Sequence, residues 1–155
     1  MATDEAAESV QSQGLEIAEL AETQLVWGFG TPHVLKCTGK GGEDTDRIYS
    51  YLAAFELYPP PDRSLPFGMD LHEQWKSAGW RIAAYKEIPD GLVLLTTNPS
   101  NDLQVRLDVF GDGRILLNIS TPCYEQPDGP APFGAQYYSG AQEGEPVPSP
   151  APAES

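Results

Sequence analysis

Histidine and cysteine are scarce in this 155-residue chain, with two of each, and neither pair makes a familiar centre. The histidines are His33 and His72. "HEQWK" (72–76) starts like the H-E-x-x-H zinc helix but has Lys76 where the second histidine must stand, so the expectation is an ordinary amphipathic helix. There is no C-x-x-C and no recognised His/Cys spacing, so no metal and no cofactor is expected. G-x-S-x-G, the Walker loop and G-x-G-x-x-G are all missing, and two histidines yield no recognisable Ser-His-Asp set, so no catalytic residue is assigned and the chain is read as non-enzymatic. Bases are scarce too: nine against 23 acids give a net charge of −14. Such a chain repels phosphate backbones, and without a basic stripe neither nucleic acid nor an anionic membrane surface is an expected partner. No apolar run approaches the roughly 20 residues that span a bilayer. No basic start leads into an apolar stretch, so no signal peptide is read.

What is present is unevenly placed. Residues 1–22 hold six acids and no base, and residues 127–155 hold four acids and no base, so the middle is nearly balanced. The segment from Pro127 onward carries seven of the 15 prolines among Gly, Ser and Ala. Its composition cannot bury enough apolar surface to offset ordering, and 127–155 is read as a largely disordered tail, 140–155 most clearly. Within it Phe133, Tyr137 and Tyr138 either dock on the domain or form a partner motif.

Residues 1–22 read as an amphipathic helix packing on the domain, with Val10, Ile17 and Ala21 at helical spacing and Gly14 allowing close approach. Residues 23–126 form the core domain. There "DLQVRLDVF" sets Leu103, Val105, Leu107 and Val109 on one face, and Ile115, Leu117 and Ile119 continue that face beyond the Gly-Asp-Gly turn. "GLVLLTT" and "GWRIAAYKEI" add two strands, and "RIYSYLAAFEL" (47–57) leans to strand before the stop at Pro59 to Pro61. "SLPFGMDLHEQWKSAG" reads as a second helix, capped by Ser64, with Pro66 in its first turn and Gly79 at its end. Met69, His72 and Trp75 mark its apolar side. The expected fold is α+β: a two-layer sandwich of an antiparallel meander of about four to six strands with two helices on one face.

Three short motifs are read blandly. "GGEDTD" (41–46) is a solvated acidic turn, lacking the twelve-residue calcium-loop logic. "WGFGTP" (27–32) suits a packed turn, and the sequon Asn118-Ile119-Ser120 lies in a strand, where a match is coincidence. Cys37 and Cys123 are read as a disulfide, with two unrelated buried thiols as the alternative. Closing so long a loop is worth roughly 4 to 5 kcal/mol in the chain-entropy model.

"SAGW" (77–80), "LLTT" (94–97), the hairpin and "ISTPC" (119–123) together resemble the ending of small secreted lipoproteins of actinobacteria, the LppA-like lipoproteins of mycobacteria above all. The resemblance covers about residues 65–125, with Cys37 as the partner of Cys123. It implies export to the cell envelope, an oxidised cysteine pair and a lipid anchor, and it carries no catalytic residues. No lipobox cysteine precedes the domain, so "MATDE" would open a mature segment, with membrane attachment only through an anchor outside this sequence.

The functional expectation is a non-enzymatic cell-envelope domain that binds a protein partner or a small ligand. Trp27, Phe29, Tyr49, Tyr51, Tyr58, Phe133, Tyr137 and Tyr138 are its candidate surface. The alternative is an immunity or inhibitor protein whose acidity steers it onto a basic secreted toxin. A hydrolase with an unfamiliar site, built on His33 or His72 beside a carboxylate, is the third reading.

Overall fold

Alternation of apolar and polar residues builds one open antiparallel sheet, and two helices cover one of its faces. The computed structural model describes residues 3–28, 32–38, 44–125 and 144–147. In chain order the elements are α1 (Thr3–Leu20), β1 (Val26–Trp27), β2 (His33–Thr38), β3 (Asp44–Leu57), α2 (Pro61–Ser77), β4 (Arg81–Ile88), β5 (Gly91–Thr97), β6 (Gln104–Val109), β7 (Ile115–Ser120) and β8 (Tyr124–Glu125). The sheet runs β1-β3-β7-β6-β5-β4, with β2 and β8 also paired to β3, giving eight strands where four to six were expected. The additional strands flank β3: β1 and β2 share one of its edges, and β7 and β8 the other.

The core follows from register. Phe55, Leu117, Leu107, Leu94 and Tyr85 lie in one cross-strand row, and Ala53, Ile119, Val105, Thr96 and Ile82 in the next. All but the two β4 residues are fully buried, as strict period-two alternation requires of a face packed on helices. On β4 the core residues are three apart instead of two, because a bulge at Ala83 shifts the register between Ile82 and Ala84.

α1 buries Ala6, Ala7, Val10, Ile17 and Ala18. A side chain at Gly14 would stand 3.0 Å from Leu25 and 3.3 Å from Phe55, so the glycine lets the helix sit directly on β3. The opposite side of α1 exposes Glu5, Glu8, Ser12, Glu16 and Glu19.

α2 starts earlier than the sequence suggests. Pro61 is its first residue, where the missing N–H leaves no bond unmade, so the proline run both stops β3 and opens the helix. Ser64 is therefore not a cap: it lies inside the helix, buried, and its hydroxyl donates to the Gly113 carbonyl. Pro66 is inside the helix too, not in its first turn. Met69 is exposed, and the inward stripe is Ser64, Gly68, Leu71 and Trp75. Gly79 ends the helix as expected, the Trp80 N–H returning to Trp75 O at 2.9 Å and the Gly79 N–H to Lys76 O at 3.3 Å. At the β6–β7 turn a side chain on Gly113 would meet Pro61 at 2.6 Å, so only glycine lets this hairpin touch the start of α2.

One stretch of the tail is placed against the sheet. Gly144–Val147 lies antiparallel to β1: Pro146 bridges Val26, and Val147 is 6 % exposed within the core cluster. The other tail residues lie outside the described ones.

Candidate functional site

The face of the sheet away from the helices is covered by none of the described elements. It presents the alternate residues: Leu52, Ala54 and Glu56 on β3, Leu116, Asn118 and Ser120 on β7, Gln104 and Arg106 on β6, and Val93 and Leu95 on β5. Leu52, Leu95, Gln104, Arg106, Asn118 and Ser120 line a depression of about 290 Å³. Their placement is a matter of register. Leu52, Ser120 and Gln104 are lateral neighbours, and so are Asn118, Arg106 and Leu95. The two leucines stand at opposite ends, on β3 and β5, with two amides, a hydroxyl and a guanidinium between them on β7 and β6.

The guanidinium is held in place. Arg106 donates through Nε to Asp108 Oδ2 at 3.0 Å and through Nη2 to Oδ1 at 3.3 Å, a two-pronged contact that fixes a planar group. Those hydrogen bonds and the carboxylate's charge push Arg106 above its ordinary pKa. Its charge is thereby largely matched, so the depression is polar without being strongly cationic. Beside it Arg114 stands 3.8 Å from Glu56.

The disulfide is formed. Cys37 and Cys123 are bonded at 2.07 Å, with Cα atoms 6.3 Å apart. Lys36 and Tyr124 face Tyr49 from the two sides of β3. Tyr49 and Tyr124 are buried in the core, and the bond joins the residues next to these two pairings, Cys37 at the register shift of β2 and Cys123 just before β8. Such a bond points to a non-cytoplasmic, oxidising compartment. Among the described residues no helix is long and apolar enough to cross a membrane.

Of the expected aromatic surface, three of the four described residues are interior. Trp27, Tyr49 and Tyr51 are 4 %, 1 % and 0 % exposed, because the odd positions of β3 face the helices and Trp27 packs, tilted, against Phe55 with centroids 5.3 Å apart. Tyr58 is exposed, on the loop after β3, and its hydroxyl bonds Glu56. Phe29, Phe133, Tyr137 and Tyr138 lie outside the described residues, as does Glu43 of the acidic motif; Asp44–Asp46 are extended, as part of β3. Sequence reasoning missed Leu52, Leu95, Gln104, Arg106, Asn118 and Ser120. The sequon spacing was the available signal, since positions 118 and 120 of a strand necessarily share a face.

Neither histidine stands in that depression's lining. His33 is opposite Leu52 on β2. His72 stacks on Tyr85 with ring centroids 3.6 Å apart, and its Nδ1 is 3.8 Å from Glu73. Tyr85 is pushed up to about 12 by burial and by its 2.7 Å hydrogen bond to Glu87, so it stays protonated at neutral pH. Trp75 and Trp80 form a second stack at 3.9 Å, so the first pair braces α2 on β4 and the second on the residue just before it. Among the described residues no group of three His, Cys, Asp or Glu is placed to hold a metal ion.

No family model matches the chain, and no curated protein does. A solved structure is similar: a DUF4853 family protein from Actinomyces odontolyticus, 13 % identical, with a TM-score of 0.53 over 84 % of this chain and 70 % of that one. At that identity the likeness is one of fold. The α+β architecture is thus shared with an actinobacterial protein, and the LppA-like label gains nothing from it.

Proposed function

We propose that this is a non-enzymatic, lipoprotein-type domain of the cell envelope that binds a protein partner or a small ligand on the uncovered face of its sheet. The observation that carries the reading is the depression between Leu52 and Leu95. It is flanked by an apolar side chain at each end, holds groups that donate and accept hydrogen bonds between them, and is built on strands rather than loops. Binding sites combine apolar walls with a few fixed polar groups. None of its six lining side chains forms a nucleophile–base pair. The disulfide supports work in an oxidising space.

The test is site-specific photo-crosslinking of the exported protein in its own cells. A photoreactive residue at Leu95 or Ser120 is expected to give a discrete adduct in the envelope fraction, while one at Glu8 gives none. Equal adducts from all three positions, or recovery of the chain only from reducing cytoplasm, would overturn the proposal.

The immunity or inhibitor reading is favoured by one observation, the row of glutamates along the exposed side of α1. It expects the reverse pattern: an adduct from Glu8 and not Leu95, with affinity falling steeply as salt rises.

A further inference from the structure

The segment Gly144–Val147 is seated on β1 by a set of features that each need a particular residue. The Gly144 N–H donates to Trp27 O at 2.8 Å, and the Trp27 N–H donates to Glu145 O at 2.9 Å, so two residues of the tail oppose one of β1. This is a bulge whose first residue has the left-handed conformation, and Gly144 has φ +83°. The ladder resumes where the Val147 N–H donates to Leu25 O at 2.9 Å. Between them Pro146 is opposite Val26, at the position whose nitrogen faces away from β1, so the residue without an N–H stands where none is used. Val147 is the anchor, buried in the cluster that holds Leu25 and Trp27.

We propose that the β1 edge is a recognition site for an extended peptide of the form Gly-x-Pro-Val, held in this chain by its own residues 144–147. A segment of the same form on a partner protein competes for the edge. Backbone bonds supply the attachment, and the glycine, proline and valine positions supply the selectivity, the logic of peptides that add a strand to a sheet. Three backbone bonds and one buried valine are set against the ordering of four residues, so the seated and unseated forms lie close in free energy. An external segment therefore has only a weak intramolecular competitor to displace. The site is at the sheet's edge, apart from the depression on its face, and stands or falls independently of the function proposed above.

The test uses the full chain labelled with 15N and a synthetic peptide spanning residues 143–149, EGEPVPS, beside a control with aspartate in place of the valine. In Val147→Asp the intramolecular competitor is weakened. The peptide should then perturb the Leu25–Trp27 amides at a concentration at least tenfold lower than in the unmodified chain, and the control should not. Gly144→Val weakens the same seating from the bulge, without a charge near the core, and should behave alike. The unmodified chain needs no folding assumption: excess peptide should shift its own Val147 amide to the unseated position. The inference is overturned if the peptide leaves the Leu25–Trp27 amides unmoved, if it binds variants and unmodified chain equally, or if the control binds as well.

Discussion

The two outer edges of this sheet meet one hazard in different ways. Any edge strand exposes a row of unpaired N–H and C=O groups that invites another chain. At one edge, which β2 continues, β1 is two residues long and is covered by Gly144–Val147, with the Pro146 nitrogen turned outward so that pairing stops there. At the other, β4 runs eight residues and none of the described residues pairs with its outer side. β4 relies instead on the bulge at Ala83 and on exposed Arg81, Lys86 and Glu87. The difference teaches that covering and repelling are not equivalent. A covered edge has a sequence-specific occupant and can be read by a competitor, whereas a charged, bulged edge only discourages contact.

Four changes would break or sharpen that contrast, and the largest effect lies on the β1 and β2 side. Replacing both cysteines with serine removes a closure of about 4 kcal/mol, measurable by urea unfolding. Because the bond joins β2 to the residues before β8, amide exchange in β1–β3 should rise more than in β4–β6; equal rises would show that the two sides open as one. On the β4 side, Trp75→Ala empties the stack with Trp80 and should destabilise by about 3 kcal/mol, with β4 amides the most affected.

The third change concerns alkaline pH. Tyr85 holds its proton to about 12 in the folded chain against 10.0 for an ordinary tyrosine, so above about pH 10 the unfolded state releases a proton that the folded state keeps. Stability attributable to Tyr85 is thus constant below that point and falls as pH rises from about 10 to about 12. The fall is less than about 1 kcal/mol given solvent screening of this ring. Tyr85→Phe should flatten that window when the two unfolding free energies are compared. The smallest effect on stability, within about 0.5 kcal/mol, is expected of Lys86→Val on the exposed edge. Its readout is sedimentation, where the variant should self-associate with concentration while the parent does not; a monomeric variant would mean that the bulge alone protects β4.

How much of this was legible depended on the length of each pattern. β6 and β7 could be read because Leu103 to Val109 and Ile115 to Ile119 alternate without a break, which only a one-sided strand requires. β1 and β8 are two residues long, too short to carry a period, and they exist because β3 offers them an edge. The start of α2 is hidden because a proline run reads as an ending, although here it also begins a helix. The binding surface was misread for a different reason. Tyr49 and Tyr51 draw attention as aromatics, yet Ser50 between them and Glu56 further on, both at even positions, already mark the odd positions as the inner face. The depression itself was invisible because its six residues come from four strands, and only cross-strand register brings Leu52 beside Ser120 and Arg106 beside Leu95. The tail segment was hidden by composition: proline and glycine usually signal lack of structure, and here Gly144 and Pro146 each fit a single required geometry.

The bond between Cys37 and Cys123, 86 positions apart, closes a covalent ring. β3, α2 and β4 through β7 lie within that ring, while α1, β1 and residues 144–147 lie outside it along the chain, on two arms packed against it. A protease cutting within the ring leaves one molecule heavier by a water, and one cutting an arm sheds a fragment. Under non-reducing conditions the two kinds of damage are therefore told apart by mass alone, and only the second removes the strand that covers β1.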